Sequence, residues 1–303
     1  MKFLVFADIH HAPGMFEGGT WEDLAEIQAC AEREGCEFII HAGDFSHGPA
    51  NVMDYVKAYN DFHIPSYHVF GNHDTDATPW EEALKCYNMP SNYYYFDNNG
   101  YRIIALDPNY YCLDGEYIHY SIRNYAKYTE LRDHVPPEQL LWLEKTIDES
   151  PYPCVLISHE SFERDADGVK NLQAVRDIIN RANTKKANSV LLCINGHMHR
   201  DAIRILDNVC YWELNSVSYD WVDEAHDYYP KEECDAIKYL KHTLVYNDPL
   251  YAVVTLEGNM ITIKGKESSM YMGINREHTN NPVFDEMGRP VVPKISSARI
   301  TIG

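Results

Sequence analysis

The chain has 303 residues, of which 45% are apolar and 24% are charged, and these proportions are ordinary for a globular protein. Its 46 Asp and Glu residues outnumber its 26 Lys and Arg residues, so the formal net charge is −20. The composition argues against a disordered chain, a collagen-like repeat or a membrane bundle, and it offers no basic excess for binding a nucleic acid backbone.

Apolar strands and amphipathic helices alternate along most of the chain, which favours an α/β fold with helices on both faces of the sheet. Apolar runs predict strands at 3–7, 37–42, 65–70, 93–96, 101–106, 154–158, 189–195, 250–256 and 260–264. Helical spacing predicts helices that start near 20 and 78 and that span 51–63, 137–149, 172–183 and 231–240.

Local signals support several of these boundaries. Thr20 and Asp23 form a capping box, which predicts that the first helix begins there. Pro79 predicts another helix start, because the fixed φ of proline suits the first helical position. The turn-forming segments 97–100 and 257–259 each predict a hairpin between the strands that flank them.

Three stretches interrupt the alternation. The Tyr-rich segment 108–134 is interpreted as an insertion, 220–247 is acidic and aromatic, and the polar tail from 268 is expected to wrap the surface. We therefore predict a core over 1–219 and a C-terminal part over 220–303 whose strands and tail complete or cap the same domain.

The sequence also carries signals about compartment. The apolar run before Asp8 is too short for a signal-peptide core, and no later window is apolar enough to span a membrane. The eight cysteines include no Cys-x-x-Cys pair, and several, such as Cys154 and Cys193, lie within apolar runs. We expect free thiols and a cytoplasmic location.

Five short polar segments each follow a predicted strand directly. They are Asp8-Ile9-His10, Gly43-Asp44, Gly71-Asn72-His73-Asp74, Ser158-His159 and Gly196-His197-Met198-His199. Ligands of open α/β sheets bind outside the carboxyl ends of the strands, so we expect these segments to meet at one edge.

The five segments supply carboxylate, imidazole and amide donors but no thiolate. The candidate metal ligands are Asp8, His10, Asp44, Asn72, His159, His197 and His199. This donor set suits Mn, Fe or Zn. Seven ligands exceed the needs of one ion, and they suit two divalent ions that share a bridging carboxylate.

The ordered set Asp-x-His, Gly-Asp, Gly-Asn-His-Asp, His and Gly-His-x-His resembles the calcineurin-like metallophosphoesterases, and it spans residues 8–199. The resemblance implies a first metal held by Asp8, His10 and His199. It implies a second metal held by Asn72, His159 and His197.

The same resemblance implies a bridging role for Asp44 and two catalytic residues, His73 and Asp74. His73 would contact the reacting phosphate or its leaving group, and Asp74 would orient His73. Because neighbouring side chains of an extended segment point apart, His73 is expected to face the substrate rather than share the ion of Asn72.

The resemblance further implies a four-layer α/β/β/α sandwich with a dimetal site at the carboxyl ends of its strands. The implied activity is hydrolysis of small phosphoesters by metal-activated hydroxide, as a phosphodiesterase or a phosphatase. A nuclease or nucleotide pyrophosphatase on the same site is the alternative enzyme, and a non-catalytic scaffold is the alternative of another class. Membrane binding is not expected, nucleic acid is disfavoured, and a homo-oligomer is left open.

Residues around the predicted site have less definite roles. His10 and His47 stand where purple acid phosphatases have a glycine and a metal-bound tyrosine, so no ferric charge-transfer colour is expected. His11, His41 and His47 are candidates for contacts to substrate or to ligands. The Tyr cluster over 93–128 is expected either to cap the active site or to form core or a subunit contact. The segment 108–134 is expected to roof the pocket and to restrict substrates to small phosphoesters.

Overall fold

The computed structural model describes residues 1–15, 17–164, 168–222, 227–274 and 292–303. Within them the strands are β1 (Lys2–Phe6), β2 (Phe38–His41), β3 (Ser66–His68), β4 (Tyr94–Asn98), β5 (Tyr101–Ala105), β6 (Tyr110–Leu113), β7 (Glu116–His119), β8 (Cys154–Ile157), β9 (Val190–Asn195), β10 (Ala202–Leu206), β11 (Val209–Glu213), β12 (Tyr219–Trp221), β13 (Thr243–Val245), β14 (Ala252–Glu257), β15 (Met260–Gly265) and β16 (Ala298–Thr301). The α-helices are α1 (Glu17–Glu34), α2 (Met53–Asn60), α3 (Trp80–Cys86), α4 (Pro137–Asp148), α5 (Leu172–Lys185) and α6 (Lys231–Ala236).

Most strands belong to two six-stranded sheets. The first sheet has the order β16-β15-β14-β1-β2-β3, and the second has the order β10-β11-β9-β8-β5-β4. Strands β1, β2 and β3 run parallel, as do β5, β8, β9 and β11. Strand β14 pairs antiparallel with β1, so the C-terminal strands extend the sheet that the N-terminal strand begins.

The two sheets pack against each other through their apolar side chains. Phe38 of β2 meets the edge of Phe96 on β4 at 5.2 Å between ring centroids, and Tyr67 of β3 stacks on the same ring at 3.9 Å. In the second sheet, Ile103 and Val155 belong to the core that this sheet shares with the first. The contact between the sheets therefore forms the main core.

Helices cover the outer faces. Phe6 of β1 points away from the second sheet and meets Tyr59 of α2 at 5.7 Å between ring centroids. On the other side, Ile104 and Leu156 pack with Leu143 of α4 and with residues of α5 in a separate cluster. The predicted α/β class is confirmed, and these contacts place helices outside both packed sheets.

Three expectations differ from the structure. Helix α1 begins at Glu17, before the predicted cap, and Thr20 is buried with its hydroxyl 2.6 Å from Nδ1 of His11 rather than capping the helix. Residues 298–301 of the tail form the edge strand β16 instead of wrapping the surface. The segment 231–240 is helical only as far as Ala236.

The eight cysteines are free, as the sequence predicted.

Asp23 of α1 makes the stability of the fold depend on pH. Its carboxyl group lies 3.0 Å from the Ser218 hydroxyl, and burial raises its pKa from 3.8 to about 7. The folded chain therefore holds a proton that the unfolded chain releases above about pH 4, so stability is lost as pH rises from about 4 to about 7. We expect Asp23→Asn to raise the free energy of unfolding by about 1–3 kcal/mol at pH 8 and to change it little at pH 4.

Urea denaturation at the two pH values measures this effect. The matched control is Glu32→Gln, which removes an exposed carboxylate from the same helix and should give no pH-dependent gain. An equal gain for Asp23→Asn at pH 4 and pH 8 would show that burial of the charge is not the cause.

Candidate metal centre

Five strand ends from both sheets deliver the predicted ligands to one place. Asp8 and His10 follow β1, Asp44 follows β2, and Asn72 begins a short 3₁₀ helix after β3. His159 follows β8 of the second sheet, and the pair His197 and His199 follows β9. Because parallel strands end at the same edge of a sheet, and the two sheets are packed together, residues far apart in sequence become neighbours.

The backbone of these loops is strained where the ligands lie. Positive φ angles of 49–70° occur at Asp8, His10, Asp44, His197 and His199. Residues other than glycine rarely adopt this left-handed conformation, and it persists only where surrounding structure imposes it. The strain indicates that these loops are shaped to aim side chains rather than to make the easiest turn.

Three of these loops contain a glycine that lies directly against a candidate metal ligand from another loop. A Cβ atom added to Gly43 would lie 2.2 Å from Nδ1 of His159, and one added to Gly71 would lie 2.3 Å from Oδ1 of Asp44. A Cβ atom added to Gly196 would lie 2.5 Å from Oδ2 of Asp8. These spacings are shorter than any real contact, so only glycine fits at the three positions.

Asp8, His10 and His199 form the first ligand group. The Nε2 atoms of His10 and His199 are 3.2 Å apart, and they lie 3.8 and 3.5 Å from Oδ1 of Asp8. All three residues are buried. Three donor atoms converging at these distances could hold one ion.

Asp44, His159 and His197 form the second group. Oδ2 of Asp44 lies 3.1 Å from Nε2 of His159, which is 3.3 Å from Nδ1 of His197. Asn72 lines the same cavity as Asp44 and His197, and its buried Oδ1 has no hydrogen-bond partner among the described residues. An unpaired buried amide oxygen is costly unless a ligand satisfies it, so Asn72 fits the predicted role of metal ligand.

Backbone carbonyl groups fix the orientation of two histidines. Nδ1 of His159 lies 3.0 Å from the carbonyl oxygen of Ala42, and Nδ1 of His199 lies 2.8 Å from that of Tyr219. Since a carbonyl group only accepts, both histidines carry a proton on Nδ1 and present Nε2 as a ligand atom. Hydrogen bonds of this kind typically orient the histidine ligands of metal sites.

Asp44 lies between the two groups. Its Oδ2 is 3.8 Å from Nε2 of His10 in the first group and 3.1 Å from Nε2 of His159 in the second. Burial raises the pKa of Asp44, but nearby His159 and His73 outweigh burial and hold this pKa well below its usual value. Asp8 also reaches His159, at 3.7 Å, so distances alone do not distinguish the two carboxylates as bridges.

His73 lies beside the two groups, but its partner is not the predicted one. Nδ1 of His73 is 2.8 Å from Oδ2 of Asp76, and its backbone N–H donates to Oδ1 of Asp44 at 2.7 Å. The expectation that Asp74 orients this ring is wrong, because residues 72–75 form a 3₁₀ helix rather than an extended segment. In a 3₁₀ helix residues three apart share a face, which brings Asp76 under His73.

Asp74 instead ties three loop segments together. Its carboxylate accepts hydrogen bonds from the backbone N–H groups of Asp44 and Ser46 at 3.0 Å and of Gly71 at 2.8 Å. It also accepts one from the Tyr87 hydroxyl at 2.5 Å. Asp74 is fully buried, so its role is to hold the loops that carry Asp44 and Asn72.

The three flanking histidines differ in their contacts. Nε2 of His47 lies 3.1 Å from Nδ1 of His10, and its ring stacks on His73 at 4.5 Å between centroids. Burial and the neighbouring His73 lower the pKa of His47 to about 4. The ring of His47 is therefore neutral, and its Nε2 can accept a hydrogen bond from Nδ1 of His10. His11 stacks on Tyr55 of α2, and the buried His41 accepts a hydrogen bond from the backbone of its own loop.

A cavity of about 330 Å³ opens onto the ligand groups. His10, Asp44, Asn72, His73, His197 and His199 form its floor. Arg123, Tyr125, Ala126 and Arg132 of the Tyr-rich segment line its wall together with Trp221. Sequence reasoning predicted that the segment would roof the pocket but did not identify its arginines, because nothing in the local pattern shows which side chains face inward.

Tyr110 and Tyr111 do not line this cavity. The Tyr110 hydroxyl accepts a hydrogen bond from Asn92, and Tyr111 is buried in a small cluster with Tyr120 and Tyr125. The segment is anchored by a short contact to the loop after β5, where Nε2 of His119 lies 2.6 Å from Oδ2 of the buried Asp107. Most of the segment therefore packs, and the residues that line the site lie between 123 and 132.

The fold and the clustered donors define an α/β protein with a metal-binding edge on its strands. The model for the family of calcineurin-like phosphoesterases matches residues 1–201, and the chain belongs to this family. Curated protein sequences gave no significant match to the chain.

Solved structures with the same fold are distant in sequence. A dimetal phosphatase from Danio rerio superposes with a TM-score of 0.62 at 15% identity, covering 89% of this chain and 98% of that one. GAP50, the anchor in the inner membrane complex of Plasmodium, superposes with a TM-score of 0.53 at 14% identity, covering 100% and 89%. At these identities the similarity establishes the fold.

No helix in the described part of the chain is long and apolar enough to cross a membrane.

A substitution at Gly71 tests the close contact between its loop and the loop that carries Asp44. We expect Gly71→Ala to push Asp44 out of place, because the added Cβ would overlap Oδ1 and the backbone nitrogen of that residue. Metal affinity should fall by about 10–100-fold, as when supporting contacts of metal ligands are lost. Metal titration followed by calorimetry measures the effect.

The matched control is Gly19→Ala, since no atom lies within 4 Å of a Cβ built at Gly19. This variant should bind metal like the parent protein. Unchanged metal affinity in Gly71→Ala would mean that the two loops can separate without cost, contrary to the packing described above.

Proposed function

We propose that this protein is a dimetal-dependent hydrolase of small phosphoesters, a phosphodiesterase or a phosphatase. The observation that carries the proposal is the pair of ligand groups, Asp8–His10–His199 and Asp44–His159–His197, on the floor of one cavity. Two divalent ions held there would lower the pKa of a water molecule toward about 7 and offset the charge of a phosphate. The donor set favours Mn, Fe or Zn.

The protein's own residues hold this arrangement in place. His159 and His199 donate from Nδ1 to backbone carbonyl groups and keep Nε2 free as a ligand atom. Asp74 secures the loops that carry Asp44 and Asn72 through four hydrogen bonds. The site is therefore organised before a substrate arrives, which lowers the free energy of activation because little reorganisation is needed.

We assign His73 the role of contacting the substrate. Its Nδ1 is engaged by Asp76, and its ring lines the cavity, which leaves Nε2 for a substrate oxygen. Burial lowers the pKa of His73, but Asp44 and the hydrogen bond with Asp76 raise it more, and the net pKa is above its usual value. A proton on Nε2 could stabilise charge on the phosphate or pass to the leaving oxygen.

The rival functions have less support. A nuclease would need a basic groove, and the chain carries a net charge of −20. A non-catalytic scaffold need not keep metal ligands, whereas all seven predicted ligands are present here. The cavity of about 330 Å³ lies at the small end of the range for small-molecule sites, which supports a small substrate.

The proposal is tested by measuring hydrolysis with purified protein that has been stripped of metal and reloaded with Mn, Fe or Zn. The panel contains phosphomonoesters, phosphodiesters and cyclic nucleotides. We expect turnover that depends on metal and disappears on chelation. Two bound metals per chain without hydrolysis of any panel member would favour the scaffold.

Asp76 gives a sharper test of the arrangement around His73. We expect Asp76→Asn to lower kcat by about 10–100-fold, a part of the 10²–10⁴ that a positioned acid or base contributes, with KM and metal content unchanged. The reason is that an amide orients His73 more weakly than a carboxylate and does not favour its protonated form. Steady-state kinetics and elemental analysis measure these quantities.

The matched control is Asp61→Asn, an exposed carboxylate on the surface near α2 whose loss should not change kcat. A full rate in Asp76→Asn would remove the orienting role from Asp76. A loss of metal would place Asp76 among the residues that hold the ions.

A further inference from the structure

Two arginines of the Tyr-rich segment line the cavity without an acidic partner. Among the described residues, neither Arg123 nor Arg132 forms an ion pair, and Nε of Arg132 is buried with no hydrogen-bond partner. Five other arginines pair with carboxylates: Arg102, Arg164, Arg176, Arg181 and Arg204. The exposed Arg33 and Arg299 form no ion pair with the described residues, but they lie outside the cavity lining. Arg123 is exposed, and the guanidinium carbon of Arg132 lies 5.9 Å from the centroid of the Tyr125 ring. The group that needs a physical reason is the buried Nε of Arg132, because a buried donor without an acceptor is costly.

The segment that carries these arginines is tied to the turn that carries His73. The backbone N–H of Arg123 donates to the carbonyl oxygen of Thr75 at 3.3 Å, and the Tyr125 hydroxyl donates to Oδ1 of Asp76 at 2.6 Å. Asp76 thus contacts both Tyr125 and His73. The backbone of Arg123 is therefore held at a fixed place relative to the floor of the cavity, and its exposed side chain extends from there.

The charged groups on the floor and on the wall of the cavity suit different ligands. The floor consists of the ligand groups, and the reacting phosphate would lie there under the proposed function. The guanidinium groups on the wall are not ligands of a cation, because arginine offers donors only. Planar guanidinium groups match the oxygen atoms of phosphate and carboxylate groups, and such charge-assisted hydrogen bonds are among the stronger ones.

We propose, on the basis of the proposed function, that Arg123 and Arg132 bind a second anionic group of the substrate. The substrate class is then a phosphodiester that carries a further phosphoryl or carboxylate group next to the ester that reacts. The unsatisfied Nε of Arg132 and the absence of carboxylate partners at both arginines in the described chain are explained by this group. A substrate with only one anionic group would leave both guanidinium groups without an anionic partner.

The test uses three cytidine substrates on metal-loaded protein. The p-nitrophenyl ester of CMP has one anionic group, CDP-glucose has a second phosphoryl group next to its glucose ester, and CMP-sialic acid has a carboxylate. Hydrolysis of CDP-glucose is followed as release of glucose from this ester. We expect Arg123→Gln with Arg132→Gln to lower kcat/KM by about 10–100-fold for substrates with a second anionic group, mainly through KM. The p-nitrophenyl ester should change by less than about threefold, because it makes no such contact.

Comparison of the two anionic substrates identifies the group. A large effect on CDP-glucose alone assigns the arginines to a phosphoryl group, and a large effect on CMP-sialic acid alone assigns them to a carboxylate. Competition supplies a readout that does not require turnover of the anionic ligand itself: CDP should inhibit hydrolysis of the p-nitrophenyl ester more strongly than CMP, and the double variant should remove this difference.

The control Lys127→Gln removes one positive charge from the same segment, at an exposed residue outside the cavity lining, and should affect no substrate. Arg132→Lys keeps the charge and should recover part of the loss, provided that metal content and thermal unfolding are unchanged. Equal effects on all substrates, or none, would overturn the inference while leaving the proposed function intact. No hydrolysis of any substrate by metal-loaded parent protein would instead refute the proposed function.

Discussion

Asp44→Asn should lower bound metal from two ions per chain to fewer than one and reduce phosphoester hydrolysis by about 10³-fold or more. The carboxylate reaches both ligand groups, at 3.1 Å from His159 and 3.8 Å from His10, so neutralising it removes charge from both sites at once. A loss of about 4 kcal/mol of transition-state stabilisation corresponds to this rate change. Elemental analysis after dialysis and steady-state kinetics measure the two effects.

Two comparison variants separate bridging from simple ligation. His10→Ala should chiefly weaken the first ion, because His10 belongs to one ligand group. Asp8→Asn addresses the other carboxylate, whose Oδ1 lies 3.7 Å from His159. Retention of two metals in Asp44→Asn, with loss of both in Asp8→Asn, would transfer the bridging role to Asp8.

His73→Ala is expected to keep both metals and to lose rate by about 10²–10⁴-fold for alkoxide leaving groups. The loss should be smaller for nitrophenolate, which leaves without being protonated. The structural reason is that the ring lines the cavity while its Nδ1 is taken up by Asp76, so its free nitrogen serves the substrate. Rates for alkyl and nitrophenyl phosphoesters, together with metal content, measure the prediction.

The outcomes for His73 distinguish three roles. Equal losses for both leaving groups would favour stabilisation of charge on the phosphate over proton donation. Loss of metal would make His73 a ligand, since its ring nitrogen also lies near His10 and Asp44. The matched control is His63→Ala, which removes an exposed histidine after α2 and should leave metal and rate unchanged.

The candidate ligands could be predicted from the sequence because each one lies in a segment that directly follows a predicted strand. Asp8, Asp44 and His159 each follow a short apolar run, and an apolar run of this length is typical of a buried strand. Parallel strands end at a common edge, so a polar residue after each strand must be delivered there. Local pattern and topology are enough to predict this position, and in the structure these residues lie together.

The hydrogen-bond partner of His73 could be identified only from the local backbone conformation. The sequence predicts an extended segment over 72–74, in which neighbouring side chains point in opposite directions. The structure has a 3₁₀ helix from Asn72 to Thr75, and its threefold repeat places Asp76 rather than Asp74 beside the ring. The buried Asp74 accepts four hydrogen bonds from surrounding loops, a demand that arises only when those loops are packed.

The sequence by itself determined the α/β class, the free cysteines and the set of donors, since each depends on residue type and short-range spacing. Only the tertiary structure decided that Arg123 and Arg132 face the cavity while Tyr110 and Tyr111 pack elsewhere. The direction of a side chain in an irregular segment depends on long-range anchors, such as the contact of His119 with Asp107. No periodic pattern records such anchors, so the wall of the site emerges only when the chain is folded.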